Sequence, residues 1–139
     1  MRLGCDPEVF LQTPTGEVFS VIGYIKANKW NPKQLENLPE GFTVQEDNVA
    51  LEFGIPPAST EDEWVHHIKL VMEESKRFFP EGTLFSKLSC TVFPEKEMEH
   101  PAAHIFGCEP DFDAWTGDVN SKPKPPHKFM RSAGGHIHV

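Results

Sequence analysis

The sequence predicts an α+β fold in which short strands accompany one long helix. Residues 2–12 and 17–22 read as two strands, and the segment Thr13-Pro14-Thr15-Gly16 between them has the composition of a turn, which indicates a β-hairpin. The helix predicted over residues 60–79 begins with a capping box, because Glu63 lies three residues after the threonine cap. Residues 42–55 contain a further strand, in which Val49, Leu51 and Phe53 form the apolar side, and residues 84–93 read as another.

Composition limits the classes of protein that this chain can represent. The chain has 139 residues and a net charge of −8, so we expect a single domain over residues 1–139 that binds neither nucleic acid nor an anionic membrane surface. Its 3 cysteines form no CxxC pair, which argues against a structural zinc site and against a disulfide framework. With no apolar signal region and no stretch of membrane-spanning length, the expected location is the cytoplasm.

The segment from Gly134 to Val139 predicts a pair of imidazoles on one strand. Residues two apart in a strand point to the same face, so His136 and His138 would lie side by side while Ile137 turns into the core. Neutral imidazole is a common metal ligand, and Gly134-Gly135 would let another group approach the backbone closely. The alternative is a solvent-facing pair on an edge strand.

Two acidic groups show the same pattern in other predicted strands. Asp6 and Glu8 are two apart, and Pro7 between them suggests an edge position or a bulge. Glu52 lies within an apolar strand, where a carboxylate needs a partner. Glu46 would share the face of Glu52 if this strand ran straight, whereas a turn at Asp47-Asn48 would instead place Glu46 and Asp47 at the mouth of the strand.

Three predicted strands therefore carry ligand-type side chains on a single face. Oxygen and nitrogen donors without cysteine suit Mg²⁺ or Mn²⁺ together with nucleotide phosphates, and zinc is the alternative. Lys29, in the loop over residues 23–41, is the best placed of three loop lysines to contact a phosphate or a carboxylate.

Five motifs, taken in order, also resemble a known family. They are Gly4-Cys5-Asp6-Pro7-Glu8, Ala27-Asn28-Lys29 to Pro32, Glu46-Asp47-Asn48-Val49 to Glu52-Phe53, Gly107-Cys108-Glu109-Pro110-Asp111, and Arg131 to Gly134-Gly135-His136-Ile137-His138. Together they look like the phage-type carboxylate–amine ligases, or amidoligases, of the superfamily of glutamine synthetase and glutamate–cysteine ligase. Because members of that superfamily continue beyond the histidine block, the chain resembles the N-terminal part of a larger ligase-like domain.

The resemblance implies a fold and a reaction. The fold is a curved antiparallel sheet that forms a funnel, incomplete in this chain, with the long helix on its outer face. In the reaction, ATP phosphorylates a carboxylate, an amine attacks the acyl phosphate, and an amide forms with release of ADP and phosphate. The implied cofactors are ATP and Mg²⁺ or Mn²⁺, and the implied substrate is a small molecule or peptide. A completing chain or an oligomer is expected, in the host cytoplasm if the protein is phage-encoded.

The resemblance also implies roles for individual residues. Glu8 and Glu52 would be metal ligands, assisted by Asp6 and by Glu46 or Asp47. His136 would be the imidazole ligand, and His138 would line the nucleotide or metal site. Arg131 and Lys29 would contact phosphate or the substrate carboxylate, as catalytic and ATP-binding residues.

Two other classes of function remain open at this point. A zinc-dependent hydrolase also uses a His-x-His pair with carboxylates, in order to activate water. A non-catalytic phage binding or structural protein is the third reading.

Overall fold

The computed structural model describes residues 2–105, 111–121 and 124–139, and these form an α+β fold of mostly antiparallel sheets with one helix. The strands are β1 (Gly4–Cys5), β2 (Glu8–Val9), β3 (Leu11–Gln12), β4 (Val18–Phe19), β5 (Lys33–Gln34), β6 (Thr43–Asp47), β7 (Ala50–Gly54), β8 (Leu84–Phe85), β9 (Cys90–Val92), β10 (Met130–Ser132) and β11 (Ile137–His138). The helix α1 spans Glu61–Ser75, and 3₁₀ turns occupy Lys76–Phe78, Glu95–Met98 and Pro101–His104. Within these ranges the sheets close no barrel.

The N-terminal segment that contains β1 and β2 lies between two other strands. On one side β1 pairs with β11, and on the other side β2 pairs with β7, both antiparallel. Pro7 breaks the segment into short ladders, but its carbonyl still accepts a hydrogen bond from the Phe53 N–H at 3.1 Å. The predicted edge position for Pro7 is therefore wrong, because the segment is covered on both sides.

Four strands form the largest sheet, in the order β2-β7-β6-β5. Three more form a sheet in the order β4-β3-β8, and β9 pairs with β10. The hairpin predicted for residues 2–22 is present as β3 and β4, with the Thr13–Gly16 turn between them closed by a Gly16 N–H to Thr13 carbonyl bond of 2.9 Å. The strand predicted over residues 84–93 is instead the separate strands β8 and β9, which pair with different partners.

Helix α1 begins as its capping sequence predicts. The Thr60 hydroxyl accepts a hydrogen bond from the Glu63 N–H at 3.2 Å, and the Glu63 carboxylate accepts one from the Ser59 N–H at 2.6 Å. The helix ends at Ser75 and continues as the 3₁₀ turn Lys76–Phe78, close to the predicted end. It is not long and apolar enough to cross a membrane, and this holds for every helix in the described ranges.

The helix packs on one face of the four-stranded sheet. Val71 of α1 is fully buried in a cluster that includes Val44, Leu51 and Phe53. Since neighbouring residues in a strand point to opposite faces, Glu52 between Leu51 and Phe53 points away from the helix. The acidic residue of this strand thus lies on the face that the helix leaves uncovered.

Of the two alternatives for residues 42–55, the straight strand is wrong, and the turn predicted at Asp47-Asn48 is present. These residues form the hairpin of β6 and β7, with Asn48 and Val49 as its two-residue loop and Asn48 at φ 55. The turn reverses the chain, so that Gln45 rather than Glu46 pairs with Glu52. Asn is among the few residue types that adopt a positive φ readily, and this explains why the chain turns here.

A candidate metal centre on the polar face of the sheet

Residues from four neighbouring chain segments share the sheet face that the helix leaves uncovered, which we call the polar face. Antiparallel register places Gly4 opposite His138 and Glu8 opposite Glu52. The polar face carries His136, His138, Asp6, Glu8, Glu52, Gln45 and Asp47.

Three carboxylates meet at the centre of this face and form what we call the acidic cluster: Glu8, Asp47 and Glu52. One ligand atom from each lies within 4.8 Å of the others, and all three side chains are half-buried. Asp47 joins the cluster because it closes the β6–β7 hairpin on the face of Glu52. The Gln45 side chain donates a hydrogen bond to the Glu52 Oε2 at 2.5 Å and so orients that carboxylate.

Burial disfavours charge throughout the acidic cluster. It is the largest of the causes that together raise the pKa of Glu52 from its ordinary 4.5 to about 7; the hydrogen bond from Gln45 opposes the rise, and the neighbouring carboxylates Asp47, Asp6 and Glu8 add to it. Burial likewise raises the pKa of Glu8 and of Asp47. A bound cation would reverse this effect, because it would stabilise the ionised form of each carboxylate.

Glu46 lies outside the acidic cluster, on the opposite face of β6. Its Oε1 accepts hydrogen bonds from the N–H groups of Gly23, Ile25 and Lys26 at 3.0, 2.8 and 2.8 Å. Glu46 thus holds the loop after Val21 against the hairpin. The face-sharing of Glu46 and Glu52 expected for a straight strand does not occur, because the hairpin changes the pairing.

Asp6 lies beside the two imidazoles, which we call the histidine pair. The distance from Asp6 Oδ1 to His136 Nδ1 is 3.4 Å, and that from Asp6 Oδ2 to His138 Nε2 is 3.3 Å. The two ring centroids are 6.3 Å apart, and both rings are largely exposed. The two histidines lie on one face of the strand, as predicted. The expectation that Ile137 turns into the core is wrong, since 67% of its surface is exposed.

The backbone around the histidine pair is fixed by the carboxylates themselves. The Gly134 N–H donates to Glu8 Oε2 at 2.9 Å, and the His136 N–H donates to Asp6 Oδ1 at 2.6 Å. Gly135 passes so close to Pro7 that a Cβ at this position would lie 2.8 Å from the Pro7 Cα. The close approach expected of the Gly-Gly sequence therefore occurs at its second glycine.

The two predicted cationic residues occupy different environments. Lys29 is near enough to Asp47 to lower the pKa of that carboxyl, against the larger effect of burial. Arg131 is only 6% exposed, and its guanidinium donates to the carbonyls of Ala103, Lys128 and Met130. It also donates to Asn48 Oδ1 at 3.2 Å, so its described contacts brace the β6–β7 turn rather than line the acidic cluster.

The structure adds residues to the site that the sequence alone did not identify. Gln45 and Asn48 join the site because β6 and β7 form a hairpin. The signal for this hairpin in the sequence is the turn-forming pair Asp47-Asn48. Most of the motif Gly107-Cys108-Glu109-Pro110-Asp111 lies outside the described residues. Asp111 is described, and its carboxylate accepts a hydrogen bond from the Phe112 N–H at 2.9 Å.

The acidic cluster has the chemistry that a hard divalent cation requires. Mg²⁺ binds oxygen donors at about 2.0–2.1 Å, which places neighbouring ligand atoms about 3 Å apart and opposite ones about 4 Å apart. One oxygen from each carboxylate lies within 4.8 Å of the other two, which is close to the span of such a ligand shell. The histidine pair with Asp6 is a mixed nitrogen and oxygen set, which suits Mn²⁺ or zinc better than Mg²⁺.

No protein family, no curated protein and no solved structure matches this chain.

Proposed function

We propose that the chain is part of an ATP- and divalent-metal-dependent carboxylate–amine ligase, which forms amide or peptide bonds through an acyl phosphate. The observation that carries this proposal is the convergence of Glu8, Asp47 and Glu52 on the polar face of an antiparallel sheet. The motifs that resemble amidoligases contribute these same residues. A half-buried cluster of like charges costs free energy unless a cation neutralises it, so its presence on this face favours a role in binding cations.

Each residue of the polar face has a role in this proposal. Glu8, Asp47 and Glu52 would hold Mg²⁺ or Mn²⁺, and Gln45 would keep the Glu52 carboxylate oriented. Asp6, His136 and His138 would form a second group of ligands at the edge of the same face. Bound cations would neutralise the phosphates of ATP and align the transferred group.

Phosphoryl transfer depends mainly on positioning and on electrostatic stabilisation, so a site of this kind needs few protein nucleophiles. Lys29, next to Asp47, would add a positive charge at the rim of the acidic cluster, where a phosphate or a substrate carboxylate would lie. Arg131 would act indirectly in this scheme, by holding the turn that presents Asp47.

The proposal extends to the architecture of the complete enzyme. The polar face would be the inner wall of a glutamine synthetase-like funnel, and α1 would lie on its outside. A further segment or a partner chain would then cover the exposed histidine pair and complete the site. The substrate would be a small molecule or a peptide, and the reaction would take place in the host cytoplasm if a phage encodes the protein.

Calorimetric titration tests this function directly. The wild-type chain should bind Mn²⁺, and a nonhydrolysable ATP analogue should bind only when Mn²⁺ is present. Glu52→Gln keeps the size of the side chain but removes a ligand charge, so it should weaken Mn²⁺ binding, whereas Glu36→Gln changes an exposed carboxylate in a surface turn and should not. No binding of Mn²⁺ or of the nucleotide to the wild-type chain would contradict the proposal and favour a non-catalytic phage protein.

A zinc-dependent hydrolase is the second candidate, and the contact of Asp6 with both imidazoles favours it. Two histidines and one carboxylate with an exposed side are a ligand set that zinc hydrolases use, and the exposed side leaves room for water. Dialysis separates the two candidates. Zinc retained at one equivalent after dialysis, together with no Mg²⁺-dependent nucleotide binding, would favour the hydrolase.

A further inference from the structure

A cavity of about 300 Å³ lies against the acidic cluster, on the side of the loop that carries Lys29. Its lining includes Lys29, Trp30, Asp47, Asn48, Ala102 and Ile105. The volume is at the lower end of the range for small-molecule sites. The lining combines two charged residues, Asp47 and Lys29, with two apolar ones, Trp30 and Ile105.

The Trp30 side chain projects into solvent from a short turn whose backbone is fixed by hydrogen bonds. The Asn31 N–H donates to the Asn28 carbonyl at 2.9 Å, and the Trp30 N–H donates to the Asn28 side-chain oxygen at 3.0 Å. These bonds fix the backbone on both sides of the tryptophan, while 84% of the residue's surface remains exposed. The ring is therefore accessible to a ligand, and the backbone that carries it is already held in place without one.

Glu46 determines where this turn lies. Its carboxylate accepts hydrogen bonds from the backbone N–H groups of Gly23, Ile25 and Lys26. The Glu46 N–H in turn donates to the Ala27 carbonyl at 2.9 Å. These bonds hold residues 23–27 against β6 at Glu46, the residue that precedes Asp47. The next residues, 28–30, must then emerge beside the acidic cluster, which explains why Trp30 and Asp47 line the same cavity.

The charges around the ring favour a ligand that is planar at one end and anionic at the other. The Lys29 ammonium lies 5.0 Å from the Trp30 ring centroid, and Lys29 and Asp47 line the same cavity, so a positive group lies near both the ring and the acidic cluster. A nucleotide matches this order, because its base stacks on aromatic rings and its phosphates are held by cations.

We infer that Trp30 is the stacking platform for the base of the nucleotide whose phosphates bind at the acidic cluster. This inference rests on the proposed ligase function and adds to it the position of the base. The stack would contribute affinity with little preference among bases, since every base has an aromatic face.

Binding of two ligands to matched variants tests the inference. The ligands are a nonhydrolysable ATP analogue and inorganic tripolyphosphate, each titrated in the presence of Mn²⁺. Trp30→Leu should weaken binding of the ATP analogue about ten-fold, the usual size of one lost base–aromatic stack, and leave tripolyphosphate binding unchanged. Trp30→Phe keeps an aromatic ring and should restore much of the affinity.

Trp115→Leu is the control, because Trp115 is 93% exposed and does not line the cavity. It should bind both ligands as the wild type does. The inference is overturned if Trp30→Leu binds the ATP analogue as tightly as wild type does, or if it weakens tripolyphosphate equally. If the wild-type chain binds neither ligand in Mn²⁺, the proposed ligase function fails as well, so the two failures are distinguishable.

Discussion

Glu8 and Glu52 lie directly opposite each other on the neighbouring antiparallel strands β2 and β7. Like charges in this cross-strand position destabilise a sheet, and here a third carboxylate, Asp47, adds to the effect. The Gly134 N–H donates a hydrogen bond to Glu8 and the Gln45 amide donates one to Glu52. These two bonds offset only part of the cost of placing the charges together. The free chain therefore carries a local electrostatic penalty that a divalent cation would remove.

The first prediction concerns the pH dependence of stability in the presence of EDTA. The pKa of folded Glu52 is raised from 4.5 to about 7, so between these values the folded protein binds more protons than the unfolded chain does. Stability should therefore fall as the pH rises through this window, and the raised pKa values of Glu8 and Asp47 act in the same direction.

Thermal unfolding at intervals between about pH 4.5 and 8 measures this slope. Glu52→Gln should flatten it, because the amide does not titrate. The lowered pKa values of Glu63 and Asp113 give stability that is lost on acidification below this window, so they do not mask the effect. A melting temperature that rises steadily from pH 5 to 7 would contradict the assigned environment of Glu52.

The second prediction compares the two adjacent glycines before the histidine pair. Gly135→Ala would place a Cβ 2.8 Å from the Pro7 Cα, and Gly135 also has a positive φ of 152, so the substitution should destabilise the fold by about 1–3 kcal/mol. Gly134→Ala is the matched control, since a Cβ there meets no atom of the described residues within 4 Å. Chemical denaturation of both variants measures the difference. Equal stability of the two would mean that β11 does not pack on the N-terminal segment in this register.

The third prediction separates two roles for Arg131. If its guanidinium braces the interior, Arg131→Met should destabilise the protein by about 3 kcal/mol, because buried carbonyls lose charged donors. Arg131→Lys should recover little of this, since an ammonium cannot reproduce the planar fork.

Arg77→Met is the control for this experiment. Arg77 forms a surface ion pair with Glu74 at 2.7 Å, and such pairs contribute at most about 1 kcal/mol. A loss of nucleotide affinity in Arg131→Met with unchanged unfolding free energy would instead assign Arg131 to phosphate binding.

Local signals in the sequence predicted several elements of the fold and several faces of its strands. The hydrogen bond between Thr60 and Glu63 joins residues only three apart, so the sequence alone predicted where α1 begins. The pairs Asp6/Glu8 and His136/His138 share a face because strand alternation is a local property, and Pro7 does not disturb it.

Other features depended on contacts between distant segments, which a local pattern does not contain. The turn at Asn48 decides that Asp47, rather than Glu46, joins Glu52, and a one-residue change of register moves a side chain to the opposite face. Ile137 has the apolar character of a core residue, but alternation along a strand does not say whether other segments cover the face it occupies, and 67% of its surface is exposed. The role of Glu46 in holding residues 23–26 likewise follows only from the tertiary fold.

The most direct test of the central claim is a set of thermal melts at about pH 7.5, above the raised pKa of Glu52. Wild type and Glu52→Gln are each measured with EDTA, with Mn²⁺, and with Mn²⁺ plus a nonhydrolysable ATP analogue. We predict that the wild-type melting temperature rises with Mn²⁺ and rises again with the nucleotide. Glu52→Gln should be the more stable of the two in EDTA and should respond weakly to Mn²⁺. Identical wild-type melting temperatures in all three conditions would contradict the claim that the acidic cluster binds metal and nucleotide.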